Sequence, residues 1–352
     1  MSLDARGEAS ARQGARLYWE DFRVGEAVGF GHARASAADI AAFAREFDPA
    51  PADPADAAAA KLAAGGLVAS DWHACAMLMR MMCDDYLCDA AGAGAPGVEH
   101  VKWFGWVRQG DELRVRRTPL ETRASRSRPR IGIVRMLLEV FNQRDEAVLS
   151  WLPVQLFDRR EPDAEAPPPA KIAAGNSAEP APRPPAAPEG PGAPGWGAFE
   201  DIAIGDAARL GDHGFSRDAM LGFARRFNPQ YFHADETAAA ASLYGGLIAS
   251  GWHTASVWNR LCVAHRMRRP AASAGRRAAV GPTIAVLDMK WPAPVRPGDT
   301  VSYAMRVCDK AESDAYPGFG VLTSHHQGVN QRGETVLSLM HETWVERRAR
   351  AG

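Results

Sequence analysis

The sequence predicts an α+β protein built from two copies of one module, each an antiparallel sheet wrapped around a central helix. Three observations carry that prediction. "GGLVASDWH" (Gly65 to His73) recurs as "GGLIASGWH" (Gly245 to His253), with seven of nine positions identical. Each copy has one strongly apolar helical segment followed by runs of β-forming residues. A Pro/Ala/Gly-rich stretch separates the copies, giving modules at 17–160 and 196–348 joined by a connector at 161–195.

The repeat extends well beyond its best-matched segment. The offset of 180 residues that pairs Gly65 with Gly245 also aligns "WEDFRVGE" from Trp19 with "FEDIAIGD" from Phe199, and "FAREFDP" from Phe43 with "FARRFNP" from Phe223. Past the middle of each copy the offset becomes 188. There Lys102-Trp103 meets Lys290-Trp291, Gly110-Asp111 meets Gly298-Asp299, and "NQR" at Asn142 meets "NQR" at Asn330. Matches in one order over most of both halves mark a tandem duplication.

Ser36 and Ser216 stand where each copy needs a cap for a short helix. The apolar residues that follow keep helical spacing: Ile40, Phe43, Ala44 and Phe47, then Met220, Phe223, Ala224 and Phe227. A second helix, capped by Ser70 or Ser250, follows the repeated Gly-Gly-Leu. Its first copy, "WHACAMLMRMMC", is apolar nearly all round, as a helix enclosed by a sheet must be. β-Forming segments come next, near Val98–Val107, Glu112–Leu120, Arg130–Asn142 and Ala147–Phe157, with turns at Gly110-Asp111 and Arg144-Asp145. One buried helix followed by antiparallel strands is the plan of the hot-dog fold. A tandem (double) hot-dog, one continuous sheet around two central helices, is therefore expected.

The connector, "EPDAEAPPPAKIAAGNSAEPAPRPPAAPEGPGAPG" from Glu161 to Gly195, has almost nothing bulky and apolar to bury, so it reads as extended or disordered. Elsewhere apolar residues are ample, at 46% of the 352. The 41 Lys and Arg against 42 Asp and Glu leave a net charge of −1, which offers nucleic acid no basic face. The five cysteines (Cys75, Cys83, Cys88, Cys262, Cys308) show neither a C-x-x-C pair nor metal-ligand spacing, and their odd number fits a reducing compartment. There is no secretory pattern and no apolar run of about 18 residues. The expectation is a soluble cytoplasmic protein with no metal, nucleic-acid or membrane partner; a homo-oligomer is compatible with it.

The segment "FNPQYFHADETAAAASLYGGLIASGWH" (Phe227 to His253) resembles the signature of the MaoC-like enoyl-CoA hydratases and dehydratases. In that signature an Asp is followed five residues later by a His, with a Pro between them. Small residues and a Gly-containing turn into the central helix come next. The resemblance covers both halves, about four-fifths of the chain. It implies addition or removal of water at the double bond of an acyl-CoA thioester, which is the substrate; no separate cofactor is implied. It makes His233, Asn228 (at the Asp position) and Gly251 the candidate catalytic residues.

The chemistry suits these residue types. Hydration needs groups that take a proton from water and give one to the α-carbon. It also needs a donor where the enolate oxygen gathers charge, and a helix N-terminus supplies free N–H groups for that. A glycine at 251 lets the thioester approach the backbone closely. Neither copy has the complete Asp/His pair. Asn228 can orient water but cannot take its proton, which leaves the acid–base work to His233. The first copy keeps the acid as Asp48 but has Asp53 at the His position and Asp71 at the Gly position. The expected arrangement is a catalytic C-terminal half, with an N-terminal half that shapes the acyl-CoA tunnel.

Other repeated residues read as structural. His73, His253, Trp72 and Trp252 recur in the copy that lacks the reactive pair, and so read as packing and capping residues. Arg80 and Arg260 read as ties within a module, and Gly65, Gly66, Gly245 and Gly246 as turn formers. The densest positive run, "HRMRRPAASAGRR", supplies Arg266, Arg268, Arg269, Arg276 and Arg277 as candidate contacts for the phosphates of coenzyme A. "RASRSRPR", from Arg123 to Arg130, is a weaker second cluster. Three functions stay open on the sequence alone: an acyl-CoA hydratase/dehydratase, a non-catalytic acyl-CoA-binding protein, and a hot-dog thioesterase.

Overall fold

A computed structural model describes residues 17–48, 67–172, 198–268 and 280–348. The N-terminal module opens with a 3-10 turn at Trp19–Asp21, then β1 (Val28–Arg34) and α1 (Ala37–Phe47). The central helix α2 (Asp71–Met82) runs on into a π-helical turn at Cys83–Leu87. Strands β2 (Gly92–Trp103), β3 (Glu112–Ala124), β4 (Ile131–Phe141) and β5 (Ala147–Asp158) complete it, and a short β6 (Ala170–Lys171) follows. The C-terminal module repeats this plan with a 3-10 turn at Phe199–Asp201, β7 (Ala207–Gly214) and α3 (Arg217–Phe227). Two short helices, α4 (Tyr231–Ala234) and α5 (Glu236–Ala240), lead to the central helix α6 (Gly251–Arg268). Strands β8 (Val280–Lys290), β9 (Thr300–Glu312), β10 (Phe319–Asn330) and β11 (Thr335–Glu346) close the chain.

The caps expected from the sequence form. Ser36 Oγ accepts the Asp39 N–H at 3.1 Å, Ser216 Oγ that of Ala219 at 3.2 Å and Ser70 Oγ that of His73 at 3.3 Å. Every residue of α2 from Trp72 to Met79 is buried, which accounts for its apolar character on all sides. All five cysteines are free.

The strands form one sheet in the order β1-β3-β4-β5-β2-β8-β11-β10-β9-β7, with β6 paired to β3. The two modules join at β2 and β8, which run antiparallel with Gly97 opposite Lys290 and Lys102 opposite Ala285. In the 188-residue offset these two pairs are each other's repeat, so a pseudo-two-fold axis passes through the join. The same symmetry governs the core. Phe43 meets Phe227 edge-on at 5.7 Å between centroids, and their repeat equivalents Phe223 and Phe47 meet at 5.6 Å. Trp72 and Trp252 face each other at 5.9 Å.

Several repeated motifs turn out to hold the modules shut. The Trp19 ring lies over Gly132 and the Phe199 ring over Gly320, where any Cβ would collide with it. The repeated Gly-Asp and Asn-Gln-Arg segments tie two turns together. Gln143 donates to Asp111 and Gln331 to Asp299, each at 2.8 Å.

The structure adds to the expected elements. The outer strands β1 and β7 were not foreseen, and β2 begins at Gly92 rather than near Val98. The end of the first part of the proposed connector is extended and pairs with β3 while staying exposed: Lys171 pairs with Glu121, and Ile172 N–H donates to Leu120 O at 2.9 Å. Its remainder, 173–195, lies outside the described residues.

Candidate active site

A cavity of about 290 Å³ lies between the modules. The C-terminal module lines it with Asn228, Gln230, His233, Tyr244 and the start of α6; the N-terminal module lines it with α2, β2 and β5. The three candidate catalytic residues, Asn228, His233 and Gly251, thus share one cavity.

Asn228 is the C-cap of α3 and only 3% exposed. Its Nδ2 donates to Ser250 Oγ at 2.9 Å. Its Oδ1 accepts from Gln230 Nε2 at 2.9 Å and from Cys83 Sγ, across the module boundary, at 3.4 Å. The carbonyl end is therefore engaged, and one N–H of the amide remains to meet a water or substrate oxygen.

His233 belongs to α4 and is buried. Its Nδ1 lies 3.0 Å from Ile248 O. A carbonyl only accepts, so Nδ1 carries the proton and Nε2 keeps a lone pair in the neutral ring. Burial pushes the imidazole down to about 4, against the opposing pull of that carbonyl. His233 is thus a neutral base throughout the neutral range.

Gly251 opens α6, and its N–H makes no hydrogen bond among the described residues. Glycine here also leaves room for Trp291: a Cβ would stand 2.5 Å from its Cε2. Trp291 Nε1 donates to Gly251 O at 3.1 Å and to Thr254 Oγ1 at 3.2 Å, which fixes the helix start. Trp103 makes the matching contact with Asp71 O in the other module.

His73 and His253 pack as the sequence suggested, stacked on Phe43 and Phe223 at 4.8 and 4.6 Å. Arg80 binds Asp84 and the Arg225 carbonyl, and Arg260 binds His213.

The proposed phosphate contacts fare differently. Arg266 does not line this cavity. It lies on the buried face of α6 beside Cys262, where it borders a separate small void with Ser324, His326 and His341. Burial pushes its pKa down, with Cys262 and Asp48 opposing. The helical period from Cys262 to Arg266 turns it inward. The Arg268 side chain and Arg269, Arg276 and Arg277 lie outside the described residues. Among the described residues the arginine that lines the cavity is Arg128, exposed on the β3–β4 turn at a rim shared with Tyr244 and Leu243. It belongs to the cluster that seemed the weaker of the two.

Fold and site together define a double hot-dog protein with a composite cavity. The family model described as "MaoC like domain" matches residues 204–327, so the C-terminal module carries a MaoC-like domain. It is similar in fold to a putative MaoC domain protein dehydratase from Chloroflexus aurantiacus J-10-fl, with a TM-score of 0.76 and 15% identity over 97% of this chain and 100% of that one. A conserved hypothetical protein from Mycobacterium tuberculosis, described as having a double hotdog fold, gives a TM-score of 0.67 and 16% identity over 94% and 98%. A MaoC-like dehydratase from Rhodospirillum rubrum is 37% identical over 43% of this chain and 98% of its own, with a TM-score of 0.37. Among the described residues no helix is long and apolar enough to cross a membrane.

Proposed function

We propose that the protein is an acyl-CoA hydratase/dehydratase whose active site is the cavity holding His233, Asn228 and Gly251. The observation that carries this reading is the neutral His233, with its Nε2 lone pair free in the same cavity as the unpaired N–H of a helix start. In hydration, His233 Nε2 takes a proton from water as the water oxygen bonds to the β-carbon. The electron pair of the double bond shifts onto the thioester oxygen, where the Gly251 N–H and the α6 dipole stabilise it. The imidazolium then returns the proton to the α-carbon, and the sum is addition of one water. Asn228 steadies the water through its remaining N–H. Arg128 at the rim faces the phosphates of coenzyme A.

The amide at Asn228 favours a second reading, a protein that binds acyl-CoA without turning it over. Incubation with crotonyl-CoA and longer enoyl-CoAs separates these. Loss of the conjugated absorbance without free thiol supports hydration. Free thiol means a thioesterase, and tight binding with neither change means a binding protein.

A further inference from the structure

We infer that the cavity selects acyl groups whose far end carries a carboxylate, read by Gln155 with Arg117 behind it; this rests on the acyl-CoA reading of the site. Alternate residues of β5 (Trp151, Pro153, Gln155, Phe157) face the cavity, opposite Met79 and Met82 of α2. That inner wall is apolar except at Gln155, which is only 4% exposed. Its amide touches a single polar group, the Tyr86 hydroxyl, at 3.3 Å from Oε1 and 3.1 Å from Nε2. A side chain with two N–H donors is left with one to offer. A plain alkyl chain against it would leave that donor desolvated and unpaired.

Behind Tyr86 lies a cation. The Arg117 guanidinium sits 4.5 Å from the Tyr86 ring centroid and is flanked by the rings of Phe22 and Phe30. Its Nη1 is buried with no hydrogen-bond partner, and no carboxylate pairs with Arg117 among the described residues. A half-buried guanidinium with no anion beside it among the described residues favours a negative group nearby. The fold does not require these residues. At the equivalent positions the C-terminal module has Met305 for Arg117 and Thr343 for Gln155. An acyl carboxylate would accept from Gln155 Nε2 and lie in the field of Arg117.

The test compares matched ligands on the full chain. Affinities are measured by calorimetry for hexanoyl-CoA against adipoyl-CoA, and for octanoyl-CoA against suberoyl-CoA. Hydration rates are measured for the corresponding trans-2-enoyl-CoAs. The wild type should favour the carboxylate-ended member by about tenfold or more at one chain length, the usual worth of a charge-assisted hydrogen bond. Arg117→Met, which installs the residue of the other module, and Gln155→Leu should each abolish that preference while alkyl-CoA binding persists. Arg117→Lys should retain part of it, which keeps the test decisive if Arg117→Met does not fold. Equal or stronger binding of the alkyl partner at both lengths, or a preference untouched by Gln155→Leu, would overturn the proposal. A carboxylate preference without hydration would instead overturn only the catalytic reading.

Discussion

Arg226 and Glu46 hold the same place in the two copies and meet each other across the pseudo-two-fold axis, with Nη1 2.7 Å from Oε2. In a symmetric dimer of one module this position would meet itself, and either residue would face its own charge. Fusing the copies allowed the two to become opposite. At 43% and 49% exposure, the pair itself contributes no more than about 1 kcal/mol. Glu46→Arg should lower stability by about that amount, and adding Arg226→Glu should restore it. Urea melts of the two single variants and the double form the cycle; a double variant no more stable than the Glu46→Arg single would show that the pair is not coupled.

His233→Ala should lower kcat for enoyl-CoA hydration by about two to four powers of ten. Asn228→Asp should raise it, because Ser250, Gln230 and Cys83 can all donate to the new carboxylate in place of the amide. Asp48→Ala, in the other copy, should change the rate far less. A rate indifferent to His233 would move the active site elsewhere.

Gly251→Ala should cost about 1–3 kcal/mol by forcing the Trp291 ring off the start of α6. The same substitution should cost less in a Trp291→Ala background, because the new methyl then has room. Thermal melts of the single and double variants decide it; an undiminished cost would place the strain elsewhere.

Stability should fall as pH drops from about 6.5 towards 4. Burial holds His73, His213 and His233 down to about 4 and His253 and His341 to about 3, so the unfolded chain binds more protons across that window. Asp48 acts in the opposite sense. Burial first and Asp71 second raise it to about 6, so its protonated form favours the fold at lower pH. One carboxyl does not outweigh five imidazoles. Denaturant midpoints measured between these pH values should decline steadily, and a flat profile would mean that the imidazoles are not buried neutral.

Much of the fold was legible in the sequence because it is written in local spacing. The serine caps and the all-round apolar α2 depend on neighbours a few residues apart, and the two offsets appear when the copies are laid side by side. The edge strands were not legible: "VGFGHAR" and "AARLGDHG" are glycine-containing and mostly exposed, with no clean alternation to mark them. The site was half legible. His233 and Asn228 stand within one motif, but Cys83, which donates to Asn228, arrives from the other module, and spacing along the chain carries no record of such a contact.

The sequence by itself determined the duplication, the antiparallel sheet around two helices, and the segment that holds the candidate catalytic residues. Only the tertiary structure decided which face of α6 carries Arg266, why residue 251 is glycine, and that Arg128 reaches the cavity rim. Each depends on a contact between residues far apart in the chain: Arg266 with Ser324 and His326, Gly251 with Trp291, and Arg128 with Tyr244. Spacing along the chain carries no record of which of them share the same space.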